Sequence, residues 1–485
     1  MWVFDIKHTF YMLCIKNHTE LRIMDGLNIK GRAIKLFIFI CLCGINLLVG
    51  AEIRRGPYLL NPHPKGITIK WRTDDQIKSQ ISVRIGISPE DLPTHVKVFR
   101  MNPKKANKVD WIARIENLKP NTKYYYAIEA DFAVIAGADK EHFFRTVPEQ
   151  ASTEKEYSFW LLGDSGSNRP FSDRKISPFG TDLSTPIKVR EGFHNFMNGK
   201  SLDGIIMLGD NAYPMGTDRE YQTAFFNVFK SSLKTTPILP CTGNHDMDLA
   251  FLSIFADPFH NKMATNPGRY PLYYSTEIGD VHFTFIDPWK SWLESTSNPD
   301  HPEWKKQLKW LETDFRSSKK KWNVLVNHFP FYCDGDYNSD TNGALIQLRE
   351  MIAPLVDKYG IDLVMSGHDH SYQRTHLIKE HYGKSDTFDT SKHLVYKTDN
   401  ASVIYKKPGP YSGTVYVVSG AASGERAKPK FDHSALVKFG SGKDAKKGIA
   451  QPGSFFLNIN QNKLTGKQIG TNGEVLDEFF ITKKN

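Results

Sequence analysis

Residues 157–166 read Tyr157-Ser158-Phe159-Trp160-Leu161-Leu162-Gly163-Asp164-Ser165-Gly166. An apolar run that stops at a glycine and an acid predicts a buried strand over Tyr157–Leu162 with a carboxylate at its end. The pattern returns four times downstream. Gly209-Asp210-Asn211-Ala212-Tyr213 follows a predicted strand over Gly204–Leu208, and Gly243-Asn244-His245-Asp246 follows one over Thr236–Leu239. Asn327-His328 follows Val324–Val326, and Gly367-His368-Asp369-His370 follows Leu363–Met365. A further strand is predicted over Val281–Ile286, and helices over Glu303–Arg316 and Gly343–Tyr359. Strand and helix alternate from residue 156 onward, which predicts a layered α/β domain.

Ligand sites in open α/β sheets form at the carboxyl ends of strands. Here those ends carry two carboxylates, a tyrosine, an asparagine and three histidines, the oxygen and nitrogen donors that hard and borderline cations take. The glycine before a donor lets the chain turn sharply at the sheet edge. One Gly-Asp pair would mean little. Five motifs in series predict a site for two metal ions.

The series resembles the metallophosphoesterase superfamily and, more narrowly, the purple acid phosphatases, whose pattern is GDxG, GDxxY, GNH[DE], VxxH and GHxH. The narrowing rests on Gly166, where most metallophosphoesterases carry a histidine, and on Tyr213, which takes the ligand place so vacated. The resemblance implies a metallophosphoesterase sandwich of two mixed sheets flanked by helices. Carried over by position, it implies that Asp164, Tyr213 and His370 hold Fe(III). Asp210 bridges, and Asn244, His328 and His368 hold a second, divalent metal: Fe, Zn or Mn. It further implies hydrolysis of phosphomonoesters by a metal-bridged hydroxide attacking phosphorus in line. His245 faces the leaving-group side in this reading, as proton donor or as a hydrogen-bond donor to phosphate, with Asp246 orienting it. Alternatives with the same motifs are a phosphodiesterase or nucleotide hydrolase, and a secreted binding protein with an inert catalytic domain.

The sequence departs from the family pattern in two places. The fourth motif reads Leu325-Val326-Asn327-His328, with leucine for the first valine. Many relatives carry substrate-contacting histidines shortly after it, whereas residues 329–338 hold none; Tyr337 and Asn338 are the substitutes on offer. Arg169 and His433 are weak candidates for phosphate contact and read first as surface residues. His282, in an alternating strand, reads as structural, and His376 as a support for the last motif. Residues 376–410 and 424–453 read as long surface loops. Asn400-Ala401-Ser402 is a glycosylation sequon.

Residues 52–147 read differently. Gly66–Trp71 and Ile81–Ile85 alternate apolar and polar, as strands with one buried face do. Leu118-Lys119-Pro120-Asn121-Thr122-Lys123-Tyr124 resembles the L-x-P-x-T-x-Y signature of fibronectin type III domains. That resemblance implies an all-β sandwich with Tyr124 at a corner and Trp71 in the opposite sheet. A polar linker, 148–155, separates it from a catalytic domain over 156–485.

Upstream, residues 36–49 form an apolar run behind Lys30, Arg32 and Lys35 and before Gly50-Ala51. Fourteen residues fall short of the roughly 20 that cross a bilayer, and the flanks predict a secretory signal within residues 1–51. Start at Met24 and cleavage after Ala51 are expected, giving a secreted chain without a stable membrane span. Five cysteines occur, of which Cys241 and Cys333 remain after that cleavage, so the chain is no disulfide scaffold. Over 485 residues, 40% hydrophobic and 24% charged, the composition excludes disordered, collagen-like and polytopic membrane classes. The net charge of +10 favours anions, and no nucleic acid partner is expected. The expected partner is a small phosphorylated substrate.

Overall fold

The computed structural model describes residues 52–74, 80–101, 108–149, 155–166, 183–247, 249–255, 273–289, 300–396, 402–424, 432–439 and 446–483. The expected signal, Arg169 and Asn400 of the sequon lie outside these residues.

Two sheets face each other across the centre of the catalytic region. One is a six-stranded sheet in the order Tyr274–Ile278, Val281–Phe285, Trp322–Val326, Leu363–Ser366, Val415–Ser419, Tyr372–Arg374. The other holds Gly453–Ile459, Tyr157–Leu162, Gly204–Met207 and Pro237–Leu239 as successive neighbours, the last three parallel. Phe159 and Leu161 from one sheet meet Phe283, Phe285 and Val324 from the other in a single buried cluster. The strands reach apolar neighbours on both faces, so their sequences run apolar without strict alternation. Helices Ser184–Met197, Asn227–Leu233 and Ala250–Phe255 cover one outer face. Pro302–Ser317 and Gly343–Tyr359 cover the other, completing four layers.

Local signals set these elements. Pro302 opens the first long helix of the second face at a position where its missing N–H costs nothing. Asn342 caps the second by accepting from the Ala344 and Leu345 amides at 3.1 and 3.3 Å. Gly360, with φ +69°, ends it in the left-handed conformation. The predicted strands and both helices therefore form within a residue or two of their expected limits.

The strand-rich N-terminal region builds its own core from Ile67, Ile69, Trp71, Val83, Tyr126 and Phe144. The Tyr124 hydroxyl accepts from the Lys119 amide at 3.0 Å, the hydrogen bond that defines a tyrosine corner. Trp71 and Tyr124 sit in opposite sheets, as read from the sequence. The strand Ile53–His63 pairs antiparallel with Gly66–Asp74 and also parallel with Pro237–Leu239, Leu59 opposite Pro237. One eleven-stranded sheet consequently runs through both regions.

The two stretches expected as surface loops contain buried structure. Ser402–Lys407 adds a parallel strand beside Val475–Lys483 and buries Tyr405 and Lys407. The Lys407 ammonium reaches Asp362 at 2.7 Å, which lets a polar sequence go inside. His433 is also buried, facing Asp340 at 3.4 Å, and is not a surface residue. Cys241 and Cys333 are free thiols, buried in different core clusters.

Candidate metal centre

Each of the five motifs leaves the carboxyl end of a central strand, and the two sheets bring those ends together. Asp164, Asp210 and His368 have φ of +55°, +52° and +68°. Left-handed backbone is strained for these residue types and is tolerated where surrounding structure holds it. Here the preceding glycines allow the turn. A Cβ on Gly209 would lie 2.5 Å from His328 Nδ1, and one on Gly367 2.5 Å from Asp164 Oδ2.

The donors fall into two groups joined at Asp210. In the first, Tyr213 Oη lies 2.9 Å from Asp164 Oδ1, 3.1 Å from Asp210 Oδ2 and 3.2 Å from His370 Nε2. In the second, His328 Nε2 lies 3.2 Å from Asn244 Oδ1, 3.2 Å from His368 Nδ1 and 3.3 Å from Asp210 Oδ2. All but Asn244 are buried. Among the described residues, Asp210, His328 and His368 form the one group of three such side chains whose ligand atoms lie within 4.8 Å of each other.

This donor set fits cations better than it fits protons. His328 Nδ1 is 2.8 Å from the Leu208 carbonyl, which assigns the ring proton to Nδ1. Nε2 then turns a lone pair toward two oxygens and another imidazole. In the first group, one phenolic proton faces two carboxylate oxygens and a ring nitrogen. Burial opposes a charge on His328, yet Asp210 and Asp164 raise its pKa to about 9. The field at that point demands a positive charge. Burial works against the Asp210 carboxylate too, but His328 and His245 hold it ionised below the ordinary range. His368 is pushed down by burial and by His328, and so keeps a neutral, ligating ring.

All seven residues singled out from the sequence as ligands thus converge. Gly166 explains the narrower pattern: its Cβ would lie 2.5 Å from Tyr213 Cδ2. A side chain at 166 and the Tyr213 ring in this place exclude each other.

His245 lies beside the centre, its amide donating to Asp210 Oδ1 at 2.7 Å and its ring 4.6 Å from that of Tyr213. The orienting contact expected from Asp246 comes instead from the Pro214 carbonyl, 2.7 Å from His245 Nδ1. Asp246 is fully buried and turned the other way. It accepts from the Gly243 amide, from Asn211 Nδ2 and from the Tyr221 hydroxyl, tying the second motif to the third. Burial and the nearby Asp210 charge raise its pKa to about 7.

Of the two substitutes for the missing histidine, Tyr337 borders the centre. Its ring stacks on His368 at 4.0 Å and 15°. Asn338 is spent within its own turn, donating to Asp334 at 2.8 Å. Asp369, given no role from the sequence, places Tyr337: its buried carboxylate accepts from the Tyr337 amide at 3.1 Å and from Gln373 at 3.1 Å. An acid between two ligating histidines was the available signal, but its partner lies 32 residues away. His282 Nε2 donates to the Asp314 carboxylate at 2.9 Å, a structural pairing.

Residues 157–372 match the family model described as calcineurin-like phosphoesterase. An uncharacterised protein of Mycobacterium tuberculosis is 27% identical over 347 residues, covering 65% of this chain and 58% of that protein. Fe(3+)-Zn(2+) purple acid phosphatase 12 of Arabidopsis thaliana is 23% identical over 278 residues, covering 54% of this chain and 52% of its own. The chain thus spans between half and three fifths of these relatives. A purple acid phosphatase from yellow lupin seeds superposes with a TM-score of 0.64 at 17% identity, covering 89% of this chain and 75% of that one. Over residues 157–372 the chain resembles the calcineurin-like phosphoesterases, and its fold, a strand-rich N-terminal region ahead of two mixed sheets and their helices, resembles that of a purple acid phosphatase.

Proposed function

We propose that this metallophosphoesterase is an acid phosphatase of the purple acid phosphatase type, hydrolysing phosphomonoesters at a centre of two metals. One observation carries the reading: two donor groups share the single carboxylate of Asp210. Asp164, Tyr213 and His370 would hold Fe(III), and Asn244, His328 and His368 a divalent Fe, Zn or Mn. Two cations there would supply a nucleophile at a pH far below the pKa of free water and neutralise charge on phosphorus-bound oxygen. The chain's own residues do the rest. Strand ends fix the donors before substrate arrives, so little reorganisation is needed. His245, its Nδ1 held by the Pro214 carbonyl and its Nε2 4.0 Å from Asp210 Oδ2, would deliver a proton to the leaving group. Tyr337, stacked on His368, borders the substrate side in this reading. Secretion after removal of residues 1–51, and an N-terminal domain of fibronectin type III type over 52–147 ahead of a catalytic domain over 156–485, belong to the same proposal. No helix among the described residues is long and apolar enough to cross a membrane.

The test is metal analysis, a visible spectrum and a substrate panel on purified protein. Close to two metals per chain, a phenolate-to-iron absorption band and preference for aryl and alkyl monoesters over diesters and nucleotides are expected. Diester preference would move the reading to the phosphodiesterase alternative. Absence of both metal and turnover after reconstitution would overturn it.

A further inference from the structure

Four buried side chains of the N-terminal region, Arg55, Tyr58, Lys70 and Arg72, bond to the segments that follow Tyr213 and His245; a fifth, Tyr126, donates to the Lys234 carbonyl at 2.8 Å, away from the site. Arg72 holds Asp110 in its own region with two bonds of 2.7 and 2.8 Å and reaches across to Asp218 Oδ2 at 2.6 Å. Arg55 donates to the Asp218 carbonyl at 2.9 Å and to Gln222 at 2.8 Å. Lys70, fully buried, donates to the Ser253 and Ile254 carbonyls at 2.8 and 2.7 Å. The Tyr58 hydroxyl adds a bond to the Ile254 carbonyl at 2.8 Å.

From Asp218 the contacts lead straight to the site. Asp218 opens a short helical turn capped by Thr217, whose side chain and that of Glu220 form a reciprocal capping box. Glu220 also accepts from the Met215 amide at 3.1 Å and the Thr217 amide at 2.8 Å. That fixes the segment from Tyr213 through Pro214, whose carbonyl holds His245. Ser253 and Ile254 sit in the helix that follows His245 and Asp246.

We infer that Arg55, Lys70 and Arg72 are positioning residues for the metal centre, so that the N-terminal region sets the placement of Tyr213, Asn244 and His245. The grip suits the task. Arginine forks reach two carboxylates at once in a fixed plane, which lysine cannot reproduce. Among the described residues, the Asp164, His328 and His368 loops receive none of these contacts, so the region acts on one side of the centre. The effect on turnover rests on the phosphatase reading above; the effect on loop order does not.

The experiment uses the full, metal-loaded chain and follows amide hydrogen exchange by peptide, with turnover in parallel. Asp218→Ala, at a position whose side chain is 33% exposed, removes the carboxylate both arginines grip. It should speed exchange over residues 213–222 by roughly tenfold or more, while peptides over 327–328 and 367–370 keep their protection. Lys70→Met should do the same over 245–255. Turnover should fall roughly tenfold or more, since small misplacements near the chemistry are costly. Asp218→Asn, which still accepts one bond, should recover part of both effects. Arg84→Met is the control: it breaks a pair with Glu129 inside the N-terminal region and should leave site exchange and turnover unchanged. Unchanged exchange in both loops, equal loosening of all five motifs, or the same result from Arg84→Met would overturn the inference. If Lys70→Met does not fold, Asp218→Ala decides. A wild-type chain that is metal-loaded but hydrolyses no phosphoester would sink the phosphatase reading, and the exchange result would still settle the positioning role.

Discussion

The centre around Asp210 and a second group, His381, His393 and His433 beside Asp340, contain similar side chains and differ in where their lone pairs point. Around Asp210, Nε2 of His328 and of His370 each lie within 3.3 Å of a carboxylate oxygen, and His368 Nδ1 lies 3.2 Å from His328 Nε2. In the second group one nitrogen of each ring is spent locally. His381 Nε2 faces the Lys384 carbonyl at 3.1 Å, His393 Nδ1 accepts from the Asp389 amide, and His433 Nδ1 from the Ala435 amide. The rings stand 5.0 and 6.4 Å apart, centroid to centroid, with no shared focus. Asp340 is committed to the Ser385 amide as well as to His433. Composition alone therefore does not make a metal site. Convergence of donors on a shared carboxylate does, and the strand ends supply it.

The comparison can be broken at its strongest point first. Asp210→Asn removes the charge both donor groups share. We expect metal content to fall from about two per chain toward zero and turnover to drop at least roughly 10⁴-fold, measured by metal analysis and phosphomonoester hydrolysis. An active, fully loaded Asp210→Asn enzyme would end the shared-carboxylate model. His245→Gln should retain both metals and lose roughly 10²–10⁴-fold in kcat, most with alkyl esters, whose leaving groups need a proton. Equal losses on nitrophenyl and alkyl esters would instead assign His245 to phosphate binding. Gly166→Ala places a Cβ against the Tyr213 ring. We expect the visible band of the iron-loaded protein to shift or bleach and turnover to fall roughly 10–100-fold, as for a disturbed ligand support. A wild-type spectrum in this variant would mean Tyr213 is not the chromophore.

The second group should behave as an ordinary buried cluster and show itself through stability. Burial, chiefly, lowers the His381 pKa from 6.5 to about 4. Its folded form is neutral, while the unfolded chain takes up a proton below about pH 6.5. Stability linked to His381 is therefore complete above pH 6.5 and declines as pH falls toward 4. Urea titrations from pH 7 to 4 should lose roughly 1 kcal/mol from this source after allowance for solvent screening. His381→Gln should flatten that part of the profile without changing metal content. A steeper profile, or loss of metal, would show that the two groups are not independent.

Much of this was legible along the chain. The seven donors follow strand signals of three to six residues, and the Gly-donor spacing is local. The helix limits were readable from Pro302, Asn342 and Gly360 for the same reason. Three readings needed contacts that no local pattern carries. Asp246 sits next to His245, yet its carboxylate points to Asn211 and Tyr221, 35 and 25 residues away. His433 and Lys407 looked like surface residues in polar stretches and are buried because Asp340 and Asp362 meet them inside. Tyr337 became the neighbour of His368 through Asp369.

The sequence by itself determined the donor types, their order, the strand ends that present them and the two kinds of β structure in the chain. Those properties depend on periodicity, turn chemistry and residue type, which act over a few residues. The tertiary structure alone decided which lone pairs meet, which carbonyl orients His245, and that Arg55, Lys70 and Arg72 of the N-terminal region grip the loops of the centre. Those contacts join residues apart in sequence, 31 positions for His245 and Pro214 and 184 for Lys70 and Ile254. Their geometry is set by how two packed sheets and a shared eleven-stranded sheet bring separate strands into register, and no stretch of sequence encodes that alone.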